Sequence, residues 1–185
     1  MMKPLLAFFS LVALPAAALS QPQAPGQWNV SASPSGCIAY SSFPQGTVVS
    51  VLAGRGQQEL IFMIQNRNWS SLEDGGRYPL ALDLDGRSHW QFDAVARTEL
   101  DSDGPGLLFT VTPGDQNHAK FLTAFAGATG MDVGQNGRAL ARLRLGGGAS
   151  AMSELARCMA SMWDGGAGEE LDPVASSRPT TAKPL

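Results

Sequence analysis

His89 and His118 are the only imidazoles among the 185 residues, so serine–histidine, histidine–metal or histidine acid/base chemistry must run through one of them. His118 follows Asp115 by three positions, a spacing that allows a hydrolase in which Asp115 orients His118 as general base. The same spacing suits a helix cap and first turn, where the carboxylate accepts backbone N–H groups and the helix dipole disfavours an imidazolium. The cap is the preferred reading. His89 has an equally plain role as a surface partner of Asp83. No serine sits in a G-x-S-x-G elbow or an S-x-x-K motif, and no catalytic residue is assigned.

Metal and phosphate chemistry fare no better. Asp83-Leu84-Asp85-Gly86 and Asp101-Ser102-Asp103-Gly104 resemble pieces of calcium loops but lack the full ligand series and closing glutamate; Asp-Gly is also an ordinary turn pair. Gly54-Arg55-Gly56 and Gly146-Gly147-Gly148 lack the context of a phosphate loop and read as a turn and a strand-to-helix joint. No metal or cofactor is expected. Asn66-Arg67-Asn68-Trp69 follows an apolar strand and precedes Gly75-Gly76, so this loop presents Asn66 and Trp69 as the candidate binding residues. The alternative for Trp69 is to fold back over the edge of the core.

The ends of the chain bound where such chemistry would operate. Lys3 precedes an uncharged, apolar run from Leu5 to Leu14, Pro15 breaks it, and Ala16-Ala17-Ala18-Leu19-Ser20 offers small residues for cleavage. These are the parts of a signal peptide, residues 1–20. A retained membrane helix would need about 20 apolar residues, and this run is about half that. Residues 165–185, rich in Gly, Pro, Ser and Thr, have too few large apolar side chains to offset ordering entropy and read as a disordered tail. Between them, residues 21–164 suit one domain. The whole chain carries a formal charge of -3; loss of Lys3 leaves 12 basic against 16 acidic residues, or -4. With its basic residues scattered, the chain shows no nucleic-acid-binding pattern, and with no later run long and apolar enough to span a bilayer, no stable membrane insertion is expected after signal cleavage.

Cys37 and Cys158, in a chain bound for an oxidising compartment, read as a disulfide, with two separate buried thiols as the alternative.

The elements that must position these residues are mainly strands. Eight are expected: 27–31, 37–41, 47–52, 59–65, 78–84, 88–96, 107–112 and 138–145. Tyr78, Leu80, Leu82 and Leu84 alternate, as do Trp90, Phe92 and Ala94. Both sets share one buried face only if the hairpin loop has three residues, Asp85-Gly86-Arg87, which sets Leu82 opposite Trp90 and Asp83 opposite His89. Polar residues at spacings of three and four from Ser150 to Asp164 predict a C-terminal helix, with Met152, Leu155, Met159 and Cys158 on its other side. A shorter helix is expected over 117–126. The fold class is α+β, mainly β: an antiparallel sheet or sandwich of about eight strands, with the C-terminal helix packed on it.

Trp28, Gly36-Cys37, Asn66, Trp69, Gly76, Tyr78, and Leu145-Gly146-Gly147 leading through Ala151 and Leu155 to Cys158 resemble the arrangement in a group of small exported alphaproteobacterial proteins. More distantly, they resemble the invasion-associated locus B family. The resemblance implies export, a β-rich fold and a link to the envelope and host cells. That family's pattern includes more cysteines than the two here, and it brings no catalytic residues. The expected function is a non-catalytic periplasmic or secreted domain binding a protein or cell-envelope component; the alternatives are a hydrolase using His118 and Asp115, or a protease inhibitor.

Overall fold

The structure, a computed structural model, describes residues 26–100 and 103–164. The expected signal peptide and C-terminal tail lie outside the described residues. Nine strands and two α-helices follow along the described chain: β1 (Trp28–Ser33), β2 (Gly36–Ser42), β3 (Thr47–Gly54), β4 (Leu60–Asn66), β5 (Arg77–Leu84), β6 (Ser88–Arg97), β7 (Gly106–Val111), α1 (Gln116–Gly127), β8 (Gly130–Gln135), β9 (Arg138–Arg144) and α2 (Gly148–Asp164). The strands make one antiparallel sheet in the order β1-β2-β3-β4-β7-β6-β5-β8-β9, so the α+β, mainly β expectation holds as a sheet rather than a sandwich. β8 is the strand that the sequence reading lacks.

Alternation gives the sheet one apolar face. Val51 pairs with Phe62 and Phe62 with Phe109, while Leu82 stands between Trp90 and Val133; Val51, Phe62, Phe109, Leu82 and Val133 are all buried. The β5–β6 hairpin has the expected register, with Leu80 opposite Phe92, Leu82 opposite Trp90 and Asp83 opposite His89. A one-residue slip would have turned every one of these side chains to the other face.

Helix α1 crosses this apolar face on its way from β7 to β8, which have β6 and β5 between them in the sheet. Phe121 and Phe125, one turn apart, point into the sheet. Phe121 meets the rings of Phe92 (4.9 Å), Phe62 (5.3 Å) and Trp90 (5.5 Å), and Phe125 meets Phe62 (5.2 Å) and Trp28 (5.9 Å). Helix α2 lies beside α1 over β1 and β2, burying Ala151 and Leu155. Cys37 on β2 and Cys158 on α2 form a disulfide, with the Met162 sulfur 3.4 Å from the Cys37 sulfur.

The sheet curls enough to bring its two edges near each other. Gly26, just before β1, lies so close to the end of β9 that a Cβ there would stand 2.9 Å from the Arg144 carbonyl oxygen. Its φ of +80° also favours glycine.

Asp85, at the β5–β6 turn, ties that turn to the α1–β8 joint. Its carboxylate accepts from Thr129 N–H, the Thr129 hydroxyl (2.9 Å) and Gly130 N–H (2.7 Å). The Thr129 backbone bond is the chief reason its carboxyl lies below the ordinary value of 3.8. A carboxyl depressed in the fold contributes stability above its unfolded value, and that contribution disappears as pH falls through the folded value. Acid unfolding should therefore steepen below about pH 4, and Asp85→Asn should flatten that limb while lowering stability at neutral pH. Thermal melts at stepped pH check this; the same acid limb in both proteins would refute the assignment to Asp85.

Candidate functional site

The residues singled out from sequence fall into two groups, those engaged in holding the fold and those left facing solvent. Asp115 and His118 belong to the first. Asp115 caps α1, its Oδ1 accepting from Asn117 N–H (2.9 Å) and His118 N–H (3.0 Å). The bond from the His118 backbone is the main cause of its lowered carboxyl value. Nδ1 of His118 accepts from Thr112 N–H at 3.0 Å, which puts the ring hydrogen on Nε2. Asp115 thus holds the backbone of His118 rather than its ring, so these bonds do not assemble the orienter–base pair that a triad requires.

Asn66 is 5 % exposed, and its side chain is a structural clasp. Nδ2 donates to the Gln45 carbonyl (3.2 Å) and Thr47 Oγ1 (2.8 Å), and Oδ1 accepts from Asn68 N–H (2.8 Å). Trp69 is half-buried and packs against the core, which is the fold-back arrangement. The loop does bring the two residues together, with Trp69 N–H donating to the Asn66 carbonyl, but the Asn66 amide faces inward.

Asp83 and His89 lie on the sheet face turned away from the helices. His89 Nδ1 is 3.1 Å from Asp83 Oδ2. The strand order adds neighbours that the sequence alone does not reveal: Asp83 is directly opposite Asp132 of β8, and Asp132 is opposite Arg142 of β9. Arg142 grips Asp132 through Nε to Oδ1 (2.8 Å) and a second nitrogen to Oδ2 (3.2 Å). This bond raises the guanidinium further above its usual value. His89, Asp83, Asp132 and Arg142 therefore form one row across four strands. Asp83 Oδ1 in that row is buried and has no hydrogen-bond partner.

Three hollows adjoin this row. One of about 360 Å³ is lined by Ala81, Asp83, His89, Gln91, Asp132 and Gly134, with the tip of the β8–β9 hairpin as its wall. A second, of about 260 Å³, shares Asp83 and Asp132 with the first and reaches Arg142 and Arg144. A third, of about 350 Å³, shares those two arginines and extends to Gly26, Phe43 and Pro44. A register shift at Val133/Gly134 bends the hairpin. Gly134 keeps the floor low, since a Cβ there would stand 3.3 Å from the Arg138 carbonyl oxygen. The hollows thus follow one another across the outer face, the first two meeting at Asp83 and Asp132 and the last two at Arg142 and Arg144, with Arg138 also lining the first; we refer to them together as the groove.

Among the described residues, no group of three or more His, Cys, Asp or Glu side chains is placed to hold a metal ion. The sequence reading missed Asp132, Arg142 and the groove because it missed β8. Two signals for that strand were present: Met131 and Val133 alternate, and Asn136-Gly137 is a hairpin turn pair with φ of +49° and +75°. No protein-family profile, curated protein or solved structure matches this chain.

Proposed function

We propose that this chain is an exported, non-catalytic domain, periplasmic or secreted, that binds an extended segment of a protein or envelope component along the outer-face groove. The observation that carries the reading is the run of three hollows joined by shared lining residues. Its length suits a chain-like ligand better than a compact one. Gln91 and His89 face solvent along its wall, whereas Asp115 and His118 are engaged at the start of α1 and Asn66 is engaged inside the fold.

Export is supported by the signal-like N-terminal sequence and by the disulfide, a bond that persists in oxidising compartments. Among the described residues no helix is long and apolar enough to cross a membrane. The resemblance to small exported envelope proteins points the same way.

Hydrogen exchange offers a direct test. With envelope extract from the native host added, amides of residues 81–83 and 131–134 should exchange more slowly, and those of β1 should be unchanged. Slowing confined to β1 would move the binding surface off the groove.

A further inference from the structure

We propose that Met162 is an oxidation site: a peroxide converts its thioether to the sulfoxide, and the change loosens the end of α2 and uncovers the disulfide. The site lies on the helix side of the sheet and does not depend on the groove. Met162 Sδ is 3.4 Å from Cys37 Sγ, and Cys158 stands one turn earlier on the same side of the helix. Cys37 is buried, so Met162 forms part of the cover over its sulfur. Both cysteines of the chain are joined in the bond, which leaves no thiol to take up an oxidant. The thioethers are the reduced sulfur that remains.

The methionines of the described chain divide by burial. Met63 and Met131 are 7 % and 2 % exposed, whereas Met152, Met159 and Met162 are half-buried against the core along α2. From residue 156 to 162 no side chain of α2 is fully buried. The second half of the helix therefore holds to the sheet through Cys158 and through methionine contacts. In the oxidation, the sulfur lone pair attacks one peroxide oxygen and the O–O bond breaks. The proton on the transferred oxygen passes to the displaced hydroxide, which leaves as water; the thioether loses two electrons and the peroxide gains them. The product carries a polar oxygen where an apolar sulfur had packed, and burying that oxygen without a donor is unfavourable. The last turn swings out with Cys158 as its tether, and Cys37 Sγ becomes open to attack by a thiolate. Methionine sulfoxide reductases restore the thioether.

Peptide mapping by mass spectrometry of the native disulfide-bonded domain, after treatment with hydrogen peroxide, gives the first readout. Met162 should gain one oxygen at least about tenfold faster than Met63 and Met131, as its exposure implies. Amide exchange gives the second: residues 159–164 should lose protection after oxidation, while β3 and β4 keep theirs. Dithiothreitol should also reduce the disulfide several-fold faster in the oxidised domain. Met162→Leu keeps the apolar volume and has no sulfur to oxidise. Under the same peroxide it should retain both the protection and the slow reduction, even with Met152 and Met159 modified. Oxidation of Met162 no faster than that of Met63 and Met131 would overturn the proposal. So would unchanged exchange and reduction rates once Met162 is oxidised, or the same losses in Met162→Leu.

Discussion

Replacing both Cys37 and Cys158 by alanine is expected to remove roughly 4 to 5 kcal/mol of stability in the chain-entropy account, because the bridge spans 121 positions and restricts the unfolded chain accordingly. That is a large share of the roughly 5–15 kcal/mol typical of a folded domain. The loss should have a location as well as a size. Helix α2 packs on β1, β2 and α1, and Cys158 is its covalent link to the sheet, so its last turns should lose order first. Denaturant titration of the double variant against the oxidised native protein measures the size, and amide exchange along residues 148–164 measures the location. Unchanged midpoints would mean that helix packing alone holds α2.

The second large effect is expected at Phe121. Its side chain is fully buried, and its ring meets those of Phe62, Trp90, Phe92, Phe109 and Phe125. Phe121→Ala removes a ring that joins strands β4, β7 and β6 to α1, leaving a cavity that this many rigid neighbours cannot close. Core aromatic truncations of this kind cost about 3–5 kcal/mol. Thr123, on the exposed side of the same helix, gives the control; its hydroxyl bonds the Ala119 carbonyl within the helix, and Thr123→Ala should change stability by no more than about 0.5 kcal/mol. Similar melting points for the two variants would contradict the proposed packing.

How much of this was legible in the sequence depends on whether a feature is set by local pattern or by long-range pairing. The β5–β6 register was legible because Leu80, Leu82, Trp90 and Phe92 must share one buried face, and only an odd loop allows that. Helix α2 was legible from its polar stripe, and the Asp115 cap from its spacing to the first turn. Strand β8 escaped because Gly130 and Gly134 thin its apolar signal and it is short. Missing it had a larger consequence than one strand. β8 pairs with β5, not with a sequence neighbour, and no local pattern reveals that Asp83 will face Asp132. The candidate site therefore exists only at the level of sheet order: Asp83 and His89 were readable as a pair, while the second carboxylate and Arg142 come from elsewhere in the chain. Asn66 shows the reverse case. A polar residue at the end of a buried strand reads as display, but its inward amide joins Gln45 and Thr47 to the loop, an arrangement set by how β3 and β4 meet.

The central claim is that partners dock on the outer-face groove, and site-directed photo-cross-linking in the native host tests it most directly. A benzophenone amino acid is placed at Gln91, on the groove wall, and in a separate protein at Ser31, exposed on edge strand β1. The groove account predicts a discrete adduct from position 91 and none from position 31. An adduct from position 31 with none from position 91 would contradict it and assign the interaction to the sheet edge.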